Sequence, residues 1–282
     1  MNFLSCKLFD NHLHTEHSHD STAPMEKLIR AAIAQGLGGI AITEHCDMEH
    51  YHTIPVFEPT RASVRQAREL REKYREKLKV LAGVEICETI WEPEASDAFL
   101  RELAFDVVIG SVHAVLFEDA TEPYSHIDFT KWSHERIGAY LHQYFADMIR
   151  MIHTTAFDVL AHLTCPLRYI LRQTAFRFEL NEYRDEIAEI LSLLIERGIA
   201  LEINTSGCRC EMGAPMPDEE ILQMYRSMGG DRVSLASDAH VPEDVGVPFD
   251  RAVELLRSCG FTHTVYFEKR VCHVVSIVQT EE

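Results

Sequence analysis

Six short clusters of acidic and imidazole side chains punctuate the chain: Asp10-Asn11-His12-Leu13-His14, Thr43-Glu44-His45, Gly83-Val84-Glu85, Gly110-Ser111-Val112-His113, Ala161-His162 and Ser237-Asp238-Ala239-His240. Each falls where an apolar, β-like run ends. Alternate residues of a strand point the same way, so His12 and His14 share one face with Leu13 turned away, and Asp238 and His240 repeat that spacing. His45, Glu85, His113 and His162 each follow a buried-type run, and a carboxylate at the depth of Glu85 needs a cation to stay ionised. The loop after His14 offers one more donor, since His17, His19 and Asp20 could each reach a metal. Imidazole and carboxylate donors in this mixture suit zinc, iron or manganese. With Asp20 as the loop donor, His12, His14, Asp20, His45, Glu85, His113, His162, Asp238 and His240 would serve two or three divalent transition-metal ions and leave positions open for water and substrate. Such a cluster lowers the pKa of bound water, holds phosphoryl oxygens as a Lewis acid and offsets the charge that develops during in-line attack. Hydrolysis of a phosphate ester is the chemistry that needs all three.

Donors scattered over most of the chain meet only where strand ends converge, which parallel strands alternating with helices provide. Strand-like runs occupy 7–12, 39–43, 80–85, 106–110, 157–161, 199–204 and 232–237, with a further one near 264–267. The run Gly39-Ile40-Ala41-Ile42-Thr43 is apolar on both faces, as a buried parallel strand must be. Helical spacing appears over 24–35, with Met25, Leu28, Ile29, Ala32 and Ile33 on one face and Gly36 as the stop, and again over 61–79, 184–197 and 249–258. An open doubly wound sheet gathers ligands mainly at one switch point, so six dispersed clusters favour a barrel, with the metal site at the C-terminal ends of its strands. The roughly 45 residues between the fourth and fifth strands exceed a simple crossover, and predict an inserted helical lid or side wall at about 115–156. A single barrel domain over 1–282 is the expected organisation, given the 282 residues.

Acidic residues number 45 against 27 basic ones, for a formal net charge of -18, and the cations are dispersed. A nucleic-acid partner is therefore excluded from the expectation, because phosphate backbones need a positive surface. No run approaches the roughly 18 apolar residues of a membrane span. Eight cysteines without dense spacing read as reduced thiols, and a cytoplasmic location is expected.

These motifs, in this order and over essentially the whole chain, resemble the polymerase and histidinol phosphatase (PHP) superfamily, and within it the histidinol-phosphatase branch. The resemblance carries on His12-Leu13-His14-Thr15, Ile42-Thr43-Glu44-His45, Gly83-Val84-Glu85, Gly110-Ser111-Val112-His113, Asp158-Val159-Leu160-Ala161-His162 and Ser237-Asp238-Ala239-His240. It implies an α/β fold, a distorted (β/α)7 barrel. It also implies one metal on His12, His14, Glu85 and Asp238, a second on Glu85, His113 and His162, and a third on His45, His240 and residue 20. Many relatives have histidine at that last position, where this chain has Asp20. Two segments resemble the branch more narrowly, one carrying Arg168 and the other Arg209, and either guanidinium could grip phosphate through forked hydrogen bonds. Thr164 stands where the branch often has an acid.

The implied activity is hydrolysis of L-histidinol phosphate to L-histidinol and inorganic phosphate, a step of histidine biosynthesis, by a hydroxide bridging two metals. Asp238, His240 and Arg168 are the expected catalytic groups; Arg168, Arg209 and His45 are expected to bind substrate, with 115–156 contacting its imidazole and amino group. The alternatives are the same machinery acting on another small phosphoester, such as a nucleotide or sugar phosphate, and a non-catalytic metal-binding module.

Overall fold

The computed structural model describes residues 7–278. Its strands, in chain order, are β1 (Phe9–Asp10), β2 (Gly39–Ile42), β3 (His45–Asp47), β4 (Lys79–Cys87), β5 (Val107–Ser111), β6 (Val159–Leu160), β7 (Ala200–Asn204), β8 (Val233–Ala236), β9 (His263–Glu268) and β10 (Val271–Ser276). The helices are α1 (Met25–Ala34), α2 (Phe57–Tyr74), α3 (Pro93–Glu102), α4 (His134–Thr154), α5 (Pro166–Gln173), α6 (Arg184–Arg197), α7 (Glu219–Ser227) and α8 (Phe249–Ser258). Seven parallel strands run in the order β1-β2-β4-β5-β6-β7-β8, with β3 paired to β4 beside β2. The ring closes through backbone bonds from Asn11 N to the Leu235 carbonyl, from Asp238 N to that of His12 and from His14 N to that of Ala239, each 3.0 Å. The fold is thus an α/β barrel of seven parallel strands. The tail read as one strand near 264–267 is an antiparallel hairpin, β9 with β10.

Buried strands of this kind are apolar on both faces, and the four residues of β2 and the five of β5 are all buried. Phe9, Ala41, Leu81, Val107, Ile109, Val159, Ala161 and Ala200 fill the barrel interior and pack on Val265 and Phe267 of the hairpin. The hairpin therefore plugs the N-terminal end of the barrel. Arg270 N bonds the Asp106 carbonyl at 2.8 Å, the Arg270 guanidinium pairs with Asp158, and Lys79 Nζ lies 2.6 Å from Glu268. With that end closed by apolar side chains, polar groups are left for the opposite mouth.

The helical spacings correspond to α1, α2, α6 and α8. Gly198 ends α6 in the left-handed conformation, with φ of 68°. Helix α2 starts and stops a turn earlier than its spacing suggests; Pro59 is tolerated in the first turn, and Leu78 packs from the connection beyond Tyr74. The stretch 115–156 is divided between two roles. Its helix α4, capped by the Ser133 hydroxyl accepting from Arg136 N, buries Ile137, Tyr140, Leu141 and Tyr144 and runs along α6 as an outer-layer crossover from β5 to β6. Only the loop 123–126 reaches the cleft described below. No helix is long and apolar enough to cross a membrane among the described residues, whose seven cysteines are all free.

Close packing leaves little room between strands. A Cβ on Gly83 would lie 2.7 Å from the Val107 carbonyl oxygen and 2.6 Å from Val107 Cγ1. Gly83→Ala is expected to lower unfolding free energy by about 1–3 kcal/mol, read as an earlier midpoint in urea denaturation.

Candidate metal centre

Glu85 sits inside β4 with no exposure, and imidazole nitrogens of five histidines approach its carboxylate. His12 Nε2 is 3.3 Å, His14 Nε2 3.5 Å and His45 Nδ1 2.9 Å from Oε2; His113 Nε2 is 3.4 Å and His162 Nε2 3.1 Å from Oε1. Despite that proximity, Glu85 Oε2, His12 Nε2, His14 Nε2 and His45 Nδ1 make no hydrogen bond. Buried polar atoms so close and so poorly aligned fit ligands around shared cations better than hydrogen-bonded pairs.

The remaining donors complete the ring. Asp238 Oδ1 lies 3.4 Å from His14 Nε2, and Asp20 Oδ2 lies 3.0 Å from His240 Nε2 and 3.5 Å from His45 Nε2. Donor atoms of His12, His14 and Asp238, and separately of His14, His45 and His240, fall within 4.8 Å of one another. Of the three loop candidates, Asp20 is the one that meets His45 and His240. His17 Nε2 is held by Gln66 at 2.5 Å, and His19, largely exposed, faces Asp47 at 3.4 Å. Asp238 follows β8 with φ of 53°, a conformation unfavourable for a residue with a Cβ and held here by its neighbours.

Outer contacts fix which ring nitrogen is free. His12 Nδ1 meets Glu202 Oε2 at 2.8 Å, while Glu202 Oε1 accepts from His162 N and Asn204 Nδ2. His14 Nδ1 meets Ser18 Oγ at 3.0 Å, and that hydroxyl donates to Glu44 at 2.5 Å. Both rings thereby present Nε2 to the centre, the arrangement expected of metal-ligating histidines. Burial, followed by the nearby His45 and His240, pushes His14 down to about 3, so its ring is neutral and its lone pair available. Burial alone would raise Glu85, yet His12, His113 and His45 hold it well below the usual carboxylate range. Burial favours neutral His45 and His113, but Glu85 dominates and raises both; a bound cation would displace those protons.

The centre opens into a cleft of about 200 Å³ lined by Asp20, His45, Asp47, His113, Tyr124 and Arg168 among others. Among the described residues Arg168 is the only arginine or lysine lining it, with Nη1 3.4 Å from Ser206 Oγ. The PHP domain family model matches residues 10–206.

The chain belongs to the PHP family.

A "Probable histidinol-phosphatase" of Clostridium acetobutylicum is 32% identical over 272 residues, covering 94% of this chain and 98% of that protein. The "Histidinol-phosphatase" of Lactococcus lactis is 26% identical, covering 93% of this chain and 94% of its own. A crystal structure of histidinol phosphate phosphatase from Lactococcus lactis, complexed with zinc, L-histidinol and phosphate, matches with a TM-score of 0.77 at 22% identity, covering 95% of this chain and 100% of that one. These likenesses place this PHP protein in the histidinol-phosphatase branch, with the distorted seven-stranded barrel of the family.

Arg209 stands beside the cleft without lining it. Its Nη1 and Nη2 bond the carbonyls of Val247 and Ser237 at 2.9 and 2.8 Å, and Nε pairs with Asp244 at 3.2 Å. Each nitrogen of that guanidinium makes one contact with the chain after β8, which leaves one N–H on each of Nη1 and Nη2. Sequence reading also passed over several groups of this PHP centre. Glu202 is a lone acid in an apolar strand, which was signal enough to notice. Asp47 lies two residues past His45 and Cys87 two past Glu85, in paired strands that set His45 beside Glu85 and Asp47 beside Cys87. Glu88 gave no comparable signal; burial and then the neighbouring Glu49 push its carboxyl well above the usual range.

Removing the contact that orients His12 should loosen the centre. Glu202→Ala is expected to weaken zinc binding by about 10–100-fold, measured by competition with a chromophoric chelator.

Proposed function

We propose that this protein is a metal-dependent phosphomonoesterase that hydrolyses L-histidinol phosphate to L-histidinol and inorganic phosphate. The observation that carries the reading is the gathering of acidic and imidazole donors at one centre that opens into the cleft, around a buried carboxylate whose Oε2 has no hydrogen-bond partner. The relatives that match nearly the full chain and carry histidinol-phosphatase names support the substrate.

The donor set fits two or three divalent ions of the zinc, manganese or iron kind. His12, His14, Glu85 and Asp238 would hold one, Glu85, His113 and His162 a second, and Asp20, His45 and His240 a third. Bound there, divalent ions supply Lewis acidity toward the phosphoryl oxygens and a water of lowered pKa. The chain's own part is to orient and to move protons. Arg168, facing the same cleft, is placed to donate forked hydrogen bonds to the phosphoryl group as negative charge grows on it. Ser206, 3.4 Å from both Arg168 Nη1 and Asp238 Oδ2, ties that guanidinium to the centre.

Asp238, which also accepts from Asn204 at 3.4 Å, and His240, whose Nδ1 rests on the Asp238 carbonyl at 3.0 Å, are the groups placed to take or return a proton. His45 reaches the cleft from β3, where it would help hold an ion and could contact the ester. The loop 123–126 forms the wall against which the alcohol part of the ester would rest. A single PHP domain in a cytoplasmic enzyme of amino-acid biosynthesis completes the reading.

Phosphate release from a panel of esters tests it. L-Histidinol phosphate is expected to give the highest kcat/KM, with activity lost on chelation and restored by divalent metal; a nucleotide or sugar phosphate in first place would overturn the substrate. Arg168→Ala is expected to lower kcat/KM by about 10²-fold, judged by initial-rate kinetics with metal content measured on the same sample.

A further inference from the structure

Beside the metal donors lies a group of acids that the phosphoryl chemistry leaves unused. Asp47 ends β3, Glu49 follows in the single helical turn Met48–His50, and Glu88 comes directly after β4. Asp47 and Glu49 line the cleft, and the side chain of Glu49 is only 6% exposed. Glu88, fully enclosed behind them, uses Oε1 to accept the backbone N–H groups of His113 and Ala114. Its Oε2, together with Glu49 Oε2 and Asp47 Oδ1, has no hydrogen-bond partner.

Asp47 has His19 at 3.4 Å and His45 and His113 at 3.7 Å, and burial and Glu49 push the Glu88 carboxyl toward its neutral form, so Glu49 is the buried acid whose cost nothing close by offsets. Arg168 turns to Ser206 beyond β7, and His50, on the rim, comes no closer to Glu49 than 4.0 Å. The cleft is therefore two-ended. Metal donors and Arg168 line one part of it, and Glu49, with Asp47 3.7 Å from His113, lines another.

We infer that Glu49, backed by Glu88 and Asp47, selects phosphoesters whose alcohol carries a protonated nitrogen, its cleft-lining carboxylate accepting a charge-assisted hydrogen bond from an ammonium or imidazolium group. This rests on the phosphomonoesterase reading above and names the side chain that gives it specificity. Glu49 touches the leaving alcohol away from the reacting bond, so its effect falls on discrimination between esters. The same three acids around a further metal ion would be a different role, which metal content separates.

The test compares the holoenzyme with Glu49→Gln on two cationic esters, L-histidinol phosphate and phosphoethanolamine, and two with uncharged alcohols, glycerol phosphate and p-nitrophenyl phosphate. The ratio of kcat/KM for cationic over uncharged esters is expected to fall at least about tenfold, chiefly through KM, with metal content unaltered and part of the ratio recovered in Glu49→Asp. An unmoved ratio, or a fall in bound metal, overturns the inference. If L-histidinol phosphate remains the best substrate while Glu49→Gln leaves the ratio unmoved, this inference alone fails. If phosphoethanolamine is preferred and the ratio still falls, the substrate assignment fails and this inference stands. A wild-type preference for uncharged esters overturns both.

Discussion

One buried carboxylate governs the rest of the molecule. Glu85 is drawn out of water into a ring of five imidazoles, where burial opposes its charge and only nearby positive charge can hold it ionised. His162 Nε2 hydrogen-bonds Oε1 at 3.1 Å, but Oε2 lies near three imidazoles with no hydrogen bond, a shortfall that cations shared among the donors would satisfy. Several features that look separate serve this constraint. Glu202 and Ser18 turn His12 and His14 so that Nε2 faces inward, and Glu44 anchors that serine. Asp238 adopts a left-handed backbone that carries its carboxylate to His14.

The barrel makes such a concentration of polar groups tolerable by separating it from the apolar core. Valine, alanine and aromatic side chains fill the lower interior, and the terminal hairpin seals it with Val265 and Phe267. Acid–base pairs between Arg270 and Asp158 and between Lys79 and Glu268 pin the hairpin at that end. Because all seven ring strands are parallel, every C-terminal end points to the other mouth, and donors from both ends of the chain arrive at the same height. Helix α4 and its neighbour α6 belong to the outer layer, leaving the cleft wall to a short loop.

Much of this was legible in the linear pattern because the physics behind it is local. Period-two alternation sets His12 with His14, and apolar runs without alternation mark strands buried on both faces. The pattern was silent or misleading where the reason is a distant contact. Strand β3 is three residues long and exists by pairing with β4, so nothing in His45-Cys46-Asp47 announces it. The short helices α3, α5 and α7 were also passed over, being eight to ten residues long and amphipathic only against surfaces formed elsewhere in the fold. Nothing in sequence shows that Arg209 bonds the carbonyls of Ser237 and Val247 and pairs with Asp244.

The amino-acid sequence by itself determined the fold class, the donor types and the chemistry, since strand periodicity and ligand preference are properties of side chains and their spacing. Only the tertiary structure decided which loop residue meets His45 and His240, which arginine faces the cleft, and that Asp47, Glu49 and Glu88 stand together beside the metal donors. Those outcomes depend on distances between segments far apart in the chain, and such distances exist only once the strands have closed into a ring.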